Sequence, residues 1–169
     1  SWRSKAPLVY KNTSQWFISM DTNDLRKKAL KAIDDTNFFP QQGQNRLRTM
    51  IADRPDWCVS RQRVWGVPLP IFVNKKSGEP LREPIIIERI AKIYELEGGD
   101  AWFNSKPSRF LSPEYKELDF EQVKDVVEVW FDSGSTRAYV LEDRDDLESP
   151  ATMYLEGSDQ FRGFFHSSL

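Results

Sequence analysis

Cysteine and histidine are almost missing from this chain: Cys58 and His166 are the only ones in 169 residues. One thiol excludes a disulfide framework, and a single residue of each kind excludes an ordinary zinc cluster within the chain. Such usage suits a reducing cytosol. A surplus of either charge is missing too, since 24 Lys and Arg face 26 Asp and Glu for a formal net charge of −2. The chain as a whole is no magnet for nucleic acid, so any contact with RNA has to be a local patch. No apolar run reaches membrane-spanning length, and there is no signal-peptide pattern, internal repeat or low-complexity segment. Aromatic residues, by contrast, are plentiful. Eleven Phe, six Trp and five Tyr supply a sizeable core, and the length fits one domain or one with a small insertion.

Residues 1–20 alternate loosely and suggest two short strands joined by the Lys11-Asn12-Thr13-Ser14 turn. Asp24 is placed to cap a helix over 25–33, with Leu25, Ala29, Leu30 and Ile33 on one face. Lys27, Lys28 and Lys31 on the other face read as a solvated surface. A second short helix is expected over 44–52, and Pro84 opens a third over 85–97 that Gly98-Gly99 terminates. Residues 71–73 and 80–81 frame a hairpin, while 100–120, rich in Pro, Ser and aromatics, read as loops. The chain opens on Ser1-Trp2-Arg3 and stops inside an apolar helix expected over 161–169, which reads as a piece of a longer polypeptide.

Two acidic turns stand out in the last third. Residues 126–131 form an apolar run broken only by Glu128, followed by Asp132-Ser133-Gly134-Ser135 and a helix expected over 136–142. Residues 152–155 read as a short buried strand, followed by Glu156-Gly157-Ser158-Asp159-Gln160, where Ser158 or Asp159 can cap a helix starting at Gln160. Strand, crossover and strand make a parallel βαβ unit, which places Asp132 and Glu156 on one ligand-binding rim. The alternative is that each acid simply caps its own helix.

Between these regions, Trp57, Arg61, Arg63 and Trp65, with Arg54 and two prolines nearby, match no periodic element. Guanidinium groups fork onto phosphates and stack on indoles, so a rigid loop touching an RNA end or a nucleotide is one reading. A loop pinned by its own Trp–Arg stacking is the other.

Three stretches taken together resemble, in order, the central part of bacterial isoleucyl-tRNA synthetases. They are Trp57-Cys58-Val59-Ser60-Arg61-Gln62-Arg63-Val64-Trp65-Gly66, Val129-Trp130-Phe131-Asp132-Ser133-Gly134, and Tyr154-Leu155-Glu156-Gly157-Ser158-Asp159-Gln160-Phe161-Arg162-Gly163. The opening Trp2-Arg3-Ser4-Lys5-Ala6-Pro7 and Gln15-Trp16-Phe17 resemble the exit from that family's editing insertion. The resemblance implies a class I aminoacyl-tRNA synthetase of α/β class, with part of a Rossmann-like parallel-sheet catalytic core and a small inserted α+β lobe. Residues 1–24 would leave the editing insertion, and 25–70 would connect to the core through the Trp/Arg loop. Residues 71–124 would form the inserted lobe and 125–169 a truncated Rossmann-like βαβ segment.

It further implies an enzyme that activates isoleucine with ATP and Mg²⁺ and loads it onto tRNA(Ile), as a cytoplasmic monomer completed by the remaining domains of its chain. Glu156, Gly157, Asp159 and Gln160 would bind the aminoacyl-adenylate. Trp130 and Phe164 would wall the side-chain pocket, Phe164 standing where the family carries tryptophan. Trp57, Arg61, Arg63 and Trp65 are the candidates for tRNA or nucleotide contact. No metal ligand is expected here. Isoleucine differs from valine by one methylene, worth only about 1–3 kcal/mol, for which this enzyme family is itself the standard reference case. The His-x-Gly-His and Lys-Met-Ser-Lys-Ser signatures that stabilise the ATP phosphates are missing from the sequence, so no catalytic residue is assigned and the chain alone is expected to be inactive. The alternatives are a valyl- or leucyl-type core, and a non-catalytic RNA-binding or connective module.

Overall fold

The computed structural model describes residues 1–168. In chain order its elements are β1 (Phe17–Ile18), α1 (Leu25–Asp35), α2 (Gln42–Ala52), β2 (Trp57–Cys58), β3 (Ser60–Arg61), β4 (Phe72–Asn74), α3 (Pro84–Glu97), α4 (Asp100–Asn104), β5 (Phe120–Gln122), β6 (Val126–Val127), α5 (Val129–Gly134) and α6 (Phe164–Ser168). Among the described residues the strands pair only two at a time, all antiparallel: β1 with β2, β3 with β6, and β4 with β5.

Two apolar cores organise these elements. In the first, Ala29 and Ile33 of α1 meet Leu47 and Ile51 of α2, as an i, i+4 stripe on each helix requires. Phe38, Phe161 and Phe165 close this core and bring the end of the chain onto the helical hairpin. Arg26 caps the far end of α2, its Nη1 donating to the carbonyls of Ile51 at 2.9 Å and Arg54 at 2.7 Å. The second core gathers Phe72, Ile86, Ile90, Trp102, Phe110 and Leu111. Rings of Phe72 and Phe110 each lie 5.0 Å from that of Trp102, whose indole N–H donates to the Val123 carbonyl at 2.7 Å. A buried indole needs such a partner. Pro84 occupies the first turn of α3, and Gly98, at φ +80°, releases the chain at its end.

Several expectations are corrected. The parallel sheet and its βαβ unit are not present among the described residues. Only Val126–Val127 of the 126–131 run is a strand, antiparallel to β3, and the chain turns into α5 at Val129. Residues 152–155 form no strand, with Leu155 85% exposed. A parallel strand must be paired and covered on both faces, and among the described residues no strand pairs with 152–155. Asp132 and Glu156 therefore share no sheet rim: one lies in α5, the other in an exposed segment outside any helix or strand.

Of the two strands expected in residues 1–20, only β1 forms. Asp24 is left-handed at φ 57° and makes no side-chain cap. Its carboxylate instead takes the Lys27 ammonium at 2.7 Å. Neither Ser158 nor Asp159 caps a helix at Gln160, because Ser158–Arg162 is a 3-10 turn and the α-helix starts only at Phe164. The expected helix end at Leu169 lies outside the described residues. In the 71–124 region, β4 meets Pro80 in a bridge as the hairpin required, but its main partner is β5, which begins at the end of the stretch read as loops. In the same way, residues 57–61 contain two short strands where no element was expected.

Candidate functional site

The third conspicuous feature is the seam between α5 and α6. Gly134 lets them close: a Cβ built there would lie 2.3 Å from the Ser167 carbonyl oxygen. At the other end of the seam, Trp130 lies over Gly163, where an added Cβ would meet Cη2 at 2.9 Å. The same position would approach Gln160 Oε1 at 2.5 Å. The Gln160 side chain bridges the turn into the helix, its Oε1 accepting from the Phe164 amide at 3.1 Å and its Nε2 donating to Asp159 Oδ2 at 2.9 Å. Phe164 in turn stacks on Tyr154, with centroids 5.4 Å apart and planes at 23°. The structure thus gathers Trp130, Gln160, Gly163 and Phe164 in one place, with Gly157 and Asp159 on the adjoining turn.

Glu156 stands exposed just ahead of that turn, and Trp130 is 37% exposed. The seam therefore offers aromatic surface and the exposed Glu156 carboxylate to an incoming molecule. That combination suits a ligand with an apolar side chain at one end and hydroxyl or ammonium donors at the other. Two shallow depressions lie elsewhere, at Ile18–Leu25 and along Ile85, Arg89 and Ile93 of α3, and neither touches the seam.

The Trp/Arg loop divides into two parts. Trp57 is half-buried, with the Arg54 guanidinium 4.6 Å from its ring and the Phe131 ring 6.2 Å away. Arg61 donates to the carbonyls of Cys58 at 2.9 Å and Ser60 at 2.8 Å. Arg63 is exposed and Trp65 is 93% exposed, so this tip faces solvent away from the packed base of the loop.

Sequence reasoning missed the charged group behind the seam. Glu128 is only 6% exposed, its Oε1 lies 4.0 Å from Arg61 Nη2, and its Oε2 has no hydrogen-bond partner. Burial first, and then the Glu128 charge, hold the Asp132 carboxyl above its ordinary value. Arg54 donates to the His166 carbonyl of α6. The signal that could have exposed this group was the lone acid within an otherwise apolar run, downstream of several arginines. Gly163 was overlooked as well. Among the described residues, no three His, Cys, Asp or Glu side chains come together as a metal site.

Comparison with known proteins identifies the family. The family described as tRNA synthetases class I (I, L, M and V) matches residues 4–169. The chain belongs to that family of class I synthetases. Among curated relatives, the isoleucine–tRNA ligase of Pelagibacter ubique is 64% identical over 169 residues, covering 100% of this chain and 19% of its own length. Those of Bartonella henselae and Zymomonas mobilis are 55% and 50% identical, again over 100% of this chain and over 18% and 19% of theirs. The chain thus spans about a fifth of the length of the relatives it matches.

Proposed function

We propose that the chain is the part of an isoleucine–tRNA ligase that holds the aminoacyl end of isoleucyl-adenylate. The observation that carries this reading is the α5–α6 seam, where Trp130 lies over Gly163, the residue before Phe164, beside the Gly157–Gln160 turn. The two aromatic side chains would wall the pocket for the branched apolar side chain, excluding water from it. Glu156, exposed ahead of the turn, would accept hydrogen bonds from ribose hydroxyls or from the ammonium group. Asp159 and Gln160 would complete the polar side, with Gln160 held in place by its bond from the Phe164 amide. Gly157 would let the backbone approach the ligand closely.

ATP would be the second substrate, its Mg²⁺ carried by the phosphates and by residues of other segments. The transition-state charge on the phosphates would likewise be met from outside this chain, so the segment alone does not form the adenylate. Other segments would also supply the strands that take residues 152–155 into a Rossmann-like sheet. Residues 71–124, with a core of their own, would be the small inserted lobe. Arg63 and Trp65 are the members of the loop left free to meet tRNA(Ile), Trp57 and Arg61 being engaged internally. No helix of the described residues is long and apolar enough to cross a membrane.

The test is pyrophosphate exchange by the complete synthetase carrying this segment, run with isoleucine, valine and leucine. Isoleucine is expected to give the highest kcat/KM, and Trp130→Ala is expected to raise its KM. A preference for valine or leucine, or an unchanged KM in the variant, would overturn the reading.

A further inference from the structure

We propose that Glu128 is a positioning residue, a buried carboxylate that sets the two aromatic walls of the seam from behind. This rests on the reading of Trp130 and Phe164 as pocket walls. Glu128 immediately precedes α5. Its amide donates to the Val59 carbonyl at 2.8 Å, and its own carbonyl accepts from Phe131 at 2.9 Å. Wherever Glu128 sits, the first turn of α5 and Trp130 follow.

A carboxylate removed from water requires compensating positive charge, or it disrupts what surrounds it. Two arginines from the loop supply that charge. Arg61 is 4.0 Å away, on the strand paired with β6. Arg54 lies within electrostatic reach of the same carboxylate, stacks on Trp57 and holds the α6 backbone at His166, two residues beyond Phe164. The Trp57–Phe131 ring contact adds an apolar tie between loop and α5. One buried charge thereby couples β3, the Arg54 loop, α5 and α6, while none of its atoms faces solvent appreciably. The unpartnered Oε2 leaves the carboxylate dependent on the charge of the two guanidinium groups rather than on a hydrogen bond of its own.

The experiment uses the complete synthetase with Glu128→Gln, Arg61→Gln, the double variant, and Trp130→Leu as a direct pocket control. Glu128→Gln keeps volume and removes charge. It is expected to raise KM for isoleucine roughly tenfold while kcat stays within about twofold, as for a displaced wall with the chemistry intact. The double variant should cost clearly less than the sum of the two single ones, since the Arg61–Glu128 link is lost in each. If Trp130→Leu raises KM and Glu128→Gln does not, the positioning role falls and the pocket reading stands. If neither changes KM, the pocket reading falls with it. A fall in kcat at unchanged KM, additive effects, or loss of folded protein in both single variants would mark Glu128 as merely structural and overturn the proposal.

Discussion

The indole of Trp130 lies over Gly163, the one residue between the 3-10 turn Ser158–Arg162 and α6. A methyl group at Gly163 would come 2.9 Å from the indole and 2.5 Å from Gln160 Oε1, both too close without a shift. Gly163→Ala is therefore expected to destabilise the chain by about 1–3 kcal/mol, as overpacking of a close contact does. Urea denaturation of the purified chain measures this. In the complete synthetase the same change should raise KM for isoleucine, because the wall and the turn are pushed apart together.

Glu156 invites the opposite experiment. Its side chain is exposed, so Glu156→Ala is expected to change folding stability by no more than about 0.5 kcal/mol. In the complete synthetase, loss of an acceptor for ribose or ammonium donors should lower isoleucine-dependent exchange roughly tenfold or more. Wild-type exchange by Glu156→Ala would remove this residue from the site.

What the sequence made legible was decided by how local the signal is. The helices α1, α2 and α3 follow from apolar spacing and their Pro and Gly boundaries, and they form within two residues of where those signals put them. Residues 152–155 carry an equally plain apolar run, yet a strand is defined by its partner, and none lies beside them here. The Trp130–Gly163 contact was invisible for the same reason, because it depends on how α5 and α6 dock across the 32 residues between these two positions. Resemblance to a family grouped Trp130, Gln160 and Phe164 before any geometry did. It said nothing of Glu128, whose burial emerges only when β3 and β6 pair.

The core of residues 71–124 makes its own prediction. Trp102 is wholly buried between Phe72 and Phe110, and its N–H satisfies the Val123 carbonyl. Trp102→Ala is expected to cost about 3–5 kcal/mol, the usual range for emptying an aromatic site. Hydrogen exchange should show protection lost from α3 and β5 while α1 and α2, which belong to the other core, retain theirs. Uniform loss across both cores would show that the two unfold as one.

His166 ties stability to pH. Burial, then the neighbouring Arg54 charge, push its imidazole down to about 4 from an ordinary value of 6.5, and its Nε2 is buried without a partner. The folded chain thus holds this ring neutral over a range in which the unfolded chain protonates it. Between pH 6.5 and about 4 the unfolded state binds more protons, so stability falls as the solution is acidified through that window. The loss stops growing below about 4, where both states are charged. Asp132, whose carboxyl is held above its ordinary value, acts in the reverse direction, so the informative quantity is a difference between two proteins. Denaturation midpoints of the wild-type chain and His166→Gln, measured from pH 7 to 4, should converge as the pH falls. Parallel midpoints across that range would mean that the ring is protonated alike in both states.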